Sequence, residues 1–160
     1  RYIKNYSLIN DKKVLIVDDN PTAREVLRSF LTDFSFEIDT AISGNSCLDY
    51  VKNAIQSQKP YDIIFMDWKM PGYNGIETVE EIKKIPGTES TELIMITAFG
   101  KGDIQESAEK VGIKYFLSKP VSKSQIIDCL LPMFNPDSEF EGDSSSMEYP
   151  ELKAKRVLLV

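Results

Sequence analysis

Four stretches of this chain are apolar without a break: Val14–Val17, Ile63–Met66, Leu93–Ile96 and Tyr115–Leu117. Continuous runs of this length suit strands covered on both faces, as in a parallel sheet. Residues 36–43 alternate instead, with Phe36, Ile38, Thr40 and Ile42 on one side, which suits an edge strand. Between the runs, apolar residues recur at helical spacing. Asn20-Pro21 reads as a cap with proline in the first turn. Val26, Leu27, Phe30, Leu31 and Phe34 then share a face. Leu48, Val51 and Ile55 mark a second helix, and Ile76, Val79 and Ile82 a third. Ile104, Ala108 and Val111 mark a fourth, ended by Gly112. Ile126, Ile127, Leu130, Leu131 and Phe134 mark a fifth, ended near Pro136. Five strands alternating with five helices predict an α/β fold, a doubly wound parallel sheet spanning residues 11–134.

The flanks differ in composition. Residues 1–10 read as an N-terminal extension or linker, and residues 135–151 as an acidic, Ser-rich linker poor in aliphatics. Beyond it, Arg156-Val157-Leu158-Leu159-Val160 repeats the pattern of Lys13-Val14-Leu15-Ile16-Val17. Residues 152–160 therefore read as the first strand of a truncated second domain, cut where the acidic pair would follow. Without an initiator Met, the chain reads as a piece of a longer protein.

Charge and composition exclude several functions. The formal net charge of −6 owes much to the acidic linker, and no basic stripe appears, which speaks against direct nucleic-acid binding. No apolar run reaches membrane-spanning length, so no membrane contact is expected of this piece. Cys47 and Cys129 fall in different helical segments, as in a reduced, cytoplasmic protein. The absence of histidine rules out a Ser-His triad, a His-ligated zinc site and a phosphohistidine within the chain.

In a doubly wound sheet, ligands bind beyond the carboxyl ends of the strands. Asp18-Asp19 follows the first run, Asp67 the run at 63–66, Thr97 the run at 93–96, and Lys119-Pro120 the last. Singly, these are ordinary turn, cap or loop residues. Together they bring three carboxylates, a hydroxyl and an ammonium to one rim. Clustered carboxylates repel, so at least one pKa should be raised unless a cation is bound. An all-oxygen site with few protein ligands suits Mg²⁺. A carboxylate beside Mg²⁺ and a lysine is equipped to take up a phosphoryl group.

The set "VLIVDDN", "IIFMDWKMPGYNG", "IMITAF" and "YFLSKP" resembles the receiver domain of two-component response regulators, over about residues 12–134. The resemblance implies a flavodoxin-like fold of strand order 2-1-3-4-5. It implies Asp67 as phosphoacceptor, Asp19 as a direct Mg²⁺ ligand, Asp18 as a ligand acting through water, and the backbone carbonyl of Lys69 as a third. It implies Lys119 as partner of the acceptor, Thr97 and Phe116 as the switch pair, and a cis Lys119–Pro120 bond. The partner implied is a histidine kinase or histidine phosphotransfer domain, with other domains of the same parent chain. That parent would be a hybrid sensor histidine kinase with tandem receivers, membrane-anchored in some members. Lys69 stands where the family varies and where phosphoryl lifetime is tuned.

Three rivals remain. A phosphatase of the haloacid dehalogenase type uses the same residue types but places its two aspartates two positions apart after the first strand, whereas Asp18 and Asp19 are adjacent. A flavin mononucleotide module needs a phosphate cradle where Asp18 and Asp19 would repel phosphate. A pseudo-receiver acting by protein contact alone would usually lack the acceptor or its partners.

Overall fold

The computed structural model describes residues 11–98 and 102–134. The N-terminal extension, the acidic linker and the truncated second domain expected from the sequence lie outside them. The described residues fall into two units, 11–123 and 124–134.

Within the first unit, strands and helices alternate. They are β1 (Lys13–Val17), α1 (Pro21–Leu31), β2 (Glu37–Ala41), α2 (Gly44–Gln56), β3 (Ile63–Asp67), α3 (Gly75–Lys83), β4 (Glu92–Thr97), α4 (Gly102–Lys110) and β5 (Tyr115–Ser118). The helix α5 (Lys123–Phe134) follows, with Ile126, Ile127, Leu130 and Leu131 buried and Pro132 in its last turn. The five strands form one parallel sheet of order β2-β1-β3-β4-β5, as the resemblance implies.

The strands form where they do because both faces of the sheet are covered. Leu15, Val17, Ile64, Met66, Leu93 and Met95 share a core cluster with Cys47, Val51, Val79, Ile82 and Ala108 from α2, α3 and α4. Side chains alternate along a strand, so Val14, Ile16, Ile63, Phe65, Ile94 and Ile96 face the other way, and all of them are buried. On that side Leu27 and Leu31 of α1 are buried, and Ala23, Leu27 and Phe30 stand beside Ile96.

Two apolar residues depart from the faces expected of them. Val26 is 45% exposed and Ile42 is 59% exposed. Val26 sits one helical step ahead of Leu27 and so falls off the stripe that Leu27 and Leu31 define. Ile42 lies past the end of β2 and belongs to the loop. Phe34, also past its helix, is buried and stacks on Phe36 with ring centroids 4.9 Å apart.

The helix ends are fixed locally. The Asn20 side chain accepts from the Ala23 N–H at 3.0 Å, with Pro21 opening α1. Capping boxes start α2 (Ser43 with Ser46) and α3 (Asn74 with Glu77). At the end of α4, Gly112 takes φ +92°, where a side chain would be strained. Its N–H donates to the Glu109 carbonyl at 3.0 Å, and the Ile113 N–H to the Ala108 carbonyl at 3.1 Å. This paired closure stops the helix and drops Ile113 into the core. Replacing Asn20 with Ala orphans a first-turn N–H and is expected to cost about 1 kcal/mol, read as a lower urea midpoint with unchanged slope.

Candidate functional site

Parallel strands all end at the same edge of a sheet, and that edge carries the polar residues. Asp18 follows β1, Asp67 closes β3, Thr97 closes β4 and Lys119 follows β5. The register brings Asp67 level with Ile96, one residue short of Thr97. Backbone bonds tie the ends together: the Trp68 N–H donates to the Ile96 carbonyl at 2.9 Å, and the Lys119 N–H to the Thr97 carbonyl at 2.8 Å. The Lys119–Pro120 peptide is cis.

At this edge the Lys119 ammonium stands 3.2 Å from Asp67 Oδ1 and 3.9 Å from Asp18 Oδ2. Carboxylate oxygens of Asp18, Asp19 and Asp67 lie within 4.8 Å of one another. Asp18 and Asp67 are buried, and Asp19 is exposed. Thr97 is buried as well. Phe116 is half-buried, level with Met95, and packs against the core cluster. Lys69 is exposed on the loop after β3. Asp18, Asp19, Asp67 and Lys119 are therefore gathered into one pocket. Thr97 stands at its margin, Phe116 is set back toward the core, and the Lys69 side chain stands in solvent.

Burial dominates the electrostatics. It pushes the Asp67 carboxyl up to about 6, with the Asp18 charge adding to the rise and the Lys119 ammonium opposing it. Asp18 is also raised, first by burial; the Asn20 N–H and Lys119 pull it back. Mutual repulsion, which the sequence suggests as the cause, is second to desolvation. Three carboxylates face one lysine, and all offer hard oxygen donors. This donor set fits Mg²⁺, a cation that keeps several of its own waters.

Several residues of the site go beyond the sequence motifs. The Asn20 N–H donates to Asp18 Oδ1 at 2.9 Å, and Arg24 Nη1 donates to the Asp18 carbonyl at 2.7 Å. Gly75, the first residue of α3, lies against the end of β3, its N–H bonded to the Trp68 carbonyl at 2.8 Å. An apolar cleft of about 210 Å³ adjoins the pocket, with Val26, Phe30, Pro120 and Val121 in its wall and Asp18 and Lys119 at its edge. Among the described residues, no helix is long and apolar enough to cross a membrane.

Comparison with known proteins places the chain in a class. Residues 14–131 match the response regulator receiver domain, and the chain belongs to that family. It is 34% identical over 120 residues to the chemotaxis protein CheY of Thermotoga maritima, covering 74% of this chain and 94% of CheY. It is 30% identical over 139 residues to the signal transduction histidine-protein kinase BarA of Escherichia coli, covering 87% of this chain and 14% of BarA. The chain thus spans a small part of that kinase. A crystal structure of the receiver domain of the histidine kinase CKI1 from Arabidopsis thaliana, complexed with Mg²⁺ and BeF₃⁻, superposes with a TM-score of 0.68 at 25% identity, over 79% of this chain and 92% of that one.

Proposed function

We propose that this chain is a phosphoacceptor receiver that takes a phosphoryl group from a partner's phosphohistidine onto Asp67 and switches conformation in two-component signalling. One observation carries the reading: a buried carboxylate at a strand end, 3.2 Å from a lysine and beside two further carboxylates. The arrangement suits a nucleophile that must meet a negatively charged electrophile.

Asp67 attacks phosphorus in line. The bond from phosphorus to the imidazole nitrogen breaks as the bond to the Asp67 oxygen forms. The imidazole keeps the electron pair and takes a proton from solvent. Lys119 moves its charge from the carboxylate to the incoming oxygens. Mg²⁺, held by Asp19, Asp67, the Lys69 carbonyl and, through water, Asp18, would neutralise those oxygens. The new acyl phosphate offers acceptor oxygens beside the end of β4, where the Thr97 hydroxyl can donate to them. Phe116 then turns into the space that Thr97 leaves.

The partner is a histidine kinase or histidine phosphotransfer domain, and the cleft walled by Val26, Phe30, Pro120 and Val121 suits an apolar patch around its histidine. The likeness to BarA supports a hybrid sensor kinase as the parent, with residues 11–134 as its receiver. The free thiol of Cys47 suits the cytoplasm.

Intact mass after incubation with acetyl phosphate and Mg²⁺ is expected to rise by about 80 Da, one phosphoryl group replacing a proton. The gain should vanish in Asp67→Asn and in EDTA. A gain retained by Asp67→Asn moves the acceptor elsewhere. No gain in the wild type, with either acetyl phosphate or a phosphorylated kinase core, leaves the pseudo-receiver.

A further inference from the structure

The chemistry proposed above leaves one charged side chain of the pocket unused. Arg24 lies in the first turns of α1, and its guanidinium donates to the backbone carbonyl of Asp18 at 2.7 Å. That length is typical of a charge-assisted bond. The carbonyl belongs to the peptide that joins Asp18 to Asp19, so the arginine grips the link between two carboxylates of the cluster. Beside its ion pair with Lys119, Asp18 is anchored by two other hydrogen bonds. Its N–H donates to the Ala41 carbonyl at 3.2 Å, and its Oδ1 accepts from the Asn20 N–H at 2.9 Å. These fix the nitrogen and the carboxylate. The arginine fixes the carbonyl, and with it the plane of the rigid peptide leading into Asp19. Arg24 is itself held, because its N–H closes the first turn of α1 on the Asn20 carbonyl at 3.1 Å.

We infer that Arg24 is a positioning residue for divalent-cation binding: it locks the Asp18–Asp19 peptide so that both carboxylates present oxygen to one ion. The inference rests on reading Asp18, Asp19 and Asp67 as the Mg²⁺ site. Its sign separates it from plain electrostatics. A cation beside an acidic pocket repels Mg²⁺, so removing a mere charge tightens binding. Removing a positioning residue loosens it, since groups that orient metal ligands are commonly worth tenfold or more in affinity.

The test is Mg²⁺ titration followed by the fluorescence of Trp68, the single tryptophan, adjacent to Asp67. Arg24→Met keeps the apolar stem and removes charge and donors; its Mg²⁺ Kd is expected to rise about tenfold. Arg24→Lys keeps the charge and one donor centre and should recover part of the loss. A Met variant that binds Mg²⁺ as tightly as the wild type, or more tightly, overturns the assignment. So does a Lys variant as weak as the Met variant, because the bond to the carbonyl is then not what matters. Thermal melting in EDTA checks that each variant is folded. Should the Met variant not fold, Arg24→Gln takes its place with the same two outcomes. A wild type that shows no Mg²⁺ binding by fluorescence or calorimetry removes the metal reading itself, a result distinct from the other two.

Discussion

In EDTA at pH 8, Asp67→Asn is expected to be more stable than the wild type by about 3 kcal/mol, an unusual direction for a change at a buried site. The reason is linkage. Asp67 carries its charge in a buried place, and its pKa rises from 3.8 to about 6 on folding. A carboxylate with a raised folded pKa opposes folding once it ionises. Below pH 3.8 it is protonated in both states and the penalty is absent. The penalty grows between pH 3.8 and about 6 and is complete above that. A shift of about 2 pKa units corresponds to about 3 kcal/mol. The ion pair with Lys119 is already included in this balance, because it lowers the same pKa and fails to cancel the burial. The two proteins should therefore converge in stability near pH 3.5 and separate as pH rises through 6. Urea melts at several pH values measure this directly. Equal stability at pH 8, or a less stable variant, would show that Asp67 is better solvated than its burial implies. Added Mg²⁺ should narrow the gap, since an ion that binds only the folded wild type stabilises it in proportion to its concentration over Kd.

The same physics explains what was legible in the sequence. The strands β1, β3, β4 and β5 were readable because burial on both faces leaves continuous apolar runs. The observed β1, Lys13–Val17, differs from the run Val14–Val17 by one residue. The edge strand β2 showed its alternation, but most of its residues are only half-buried, so its end at Ala41 and the exposure of Ile42 were not marked. Convergence of Asp18, Asp67, Thr97 and Lys119 was readable because parallel strands share one carboxyl edge. Contacts that depend on the aim of a side chain were not. Arg24 is a polar residue on an amphipathic helix, and periodicity says only that it avoids the core. Its bond to the Asp18 carbonyl depends on the Asn20 cap holding the first turn against the strand end. Desolvation as the main cause of the Asp67 shift was hidden for a similar reason. A sequence shows which charges are near one another along the chain, but the depth of the pocket comes from packing.

Gly75 is the second place where three dimensions decide, and Gly75→Ala is expected to damage both fold and function. On propensity alone the change favours the helix by up to about 1 kcal/mol. Space reverses the sign. A Cβ at Gly75 would stand 2.8 Å from the Asp67 carbonyl oxygen, 3.0 Å from the Trp68 Cα and 3.0 Å from the Met95 sulfur. The sulfur belongs to a flexible side chain and can shift. The other two are backbone atoms of Asp67 and Trp68, and they can retreat only if the end of β3 moves. That end is pinned by the bond from the Trp68 N–H to the Ile96 carbonyl, while the Gly75 N–H bonds the Trp68 carbonyl from the other side. Overpacking of this kind costs about 1–3 kcal/mol, more than the roughly 1 kcal/mol that propensity returns, so a net loss of about 1 kcal/mol is expected. The chemical loss should be larger in proportion. Asp67 and Lys119 are set 3.2 Å apart by the strand ends that carry them. A displacement near 1 Å at a reacting group can reduce a rate about a hundredfold. Phosphorylation by acetyl phosphate, followed by intact mass over time, should slow by that order in Gly75→Ala at temperatures where melting shows the variant folded. A variant that loses stability but phosphorylates at the wild-type rate would mean that α3 moves and the strand holds. Gly75 would then serve packing alone.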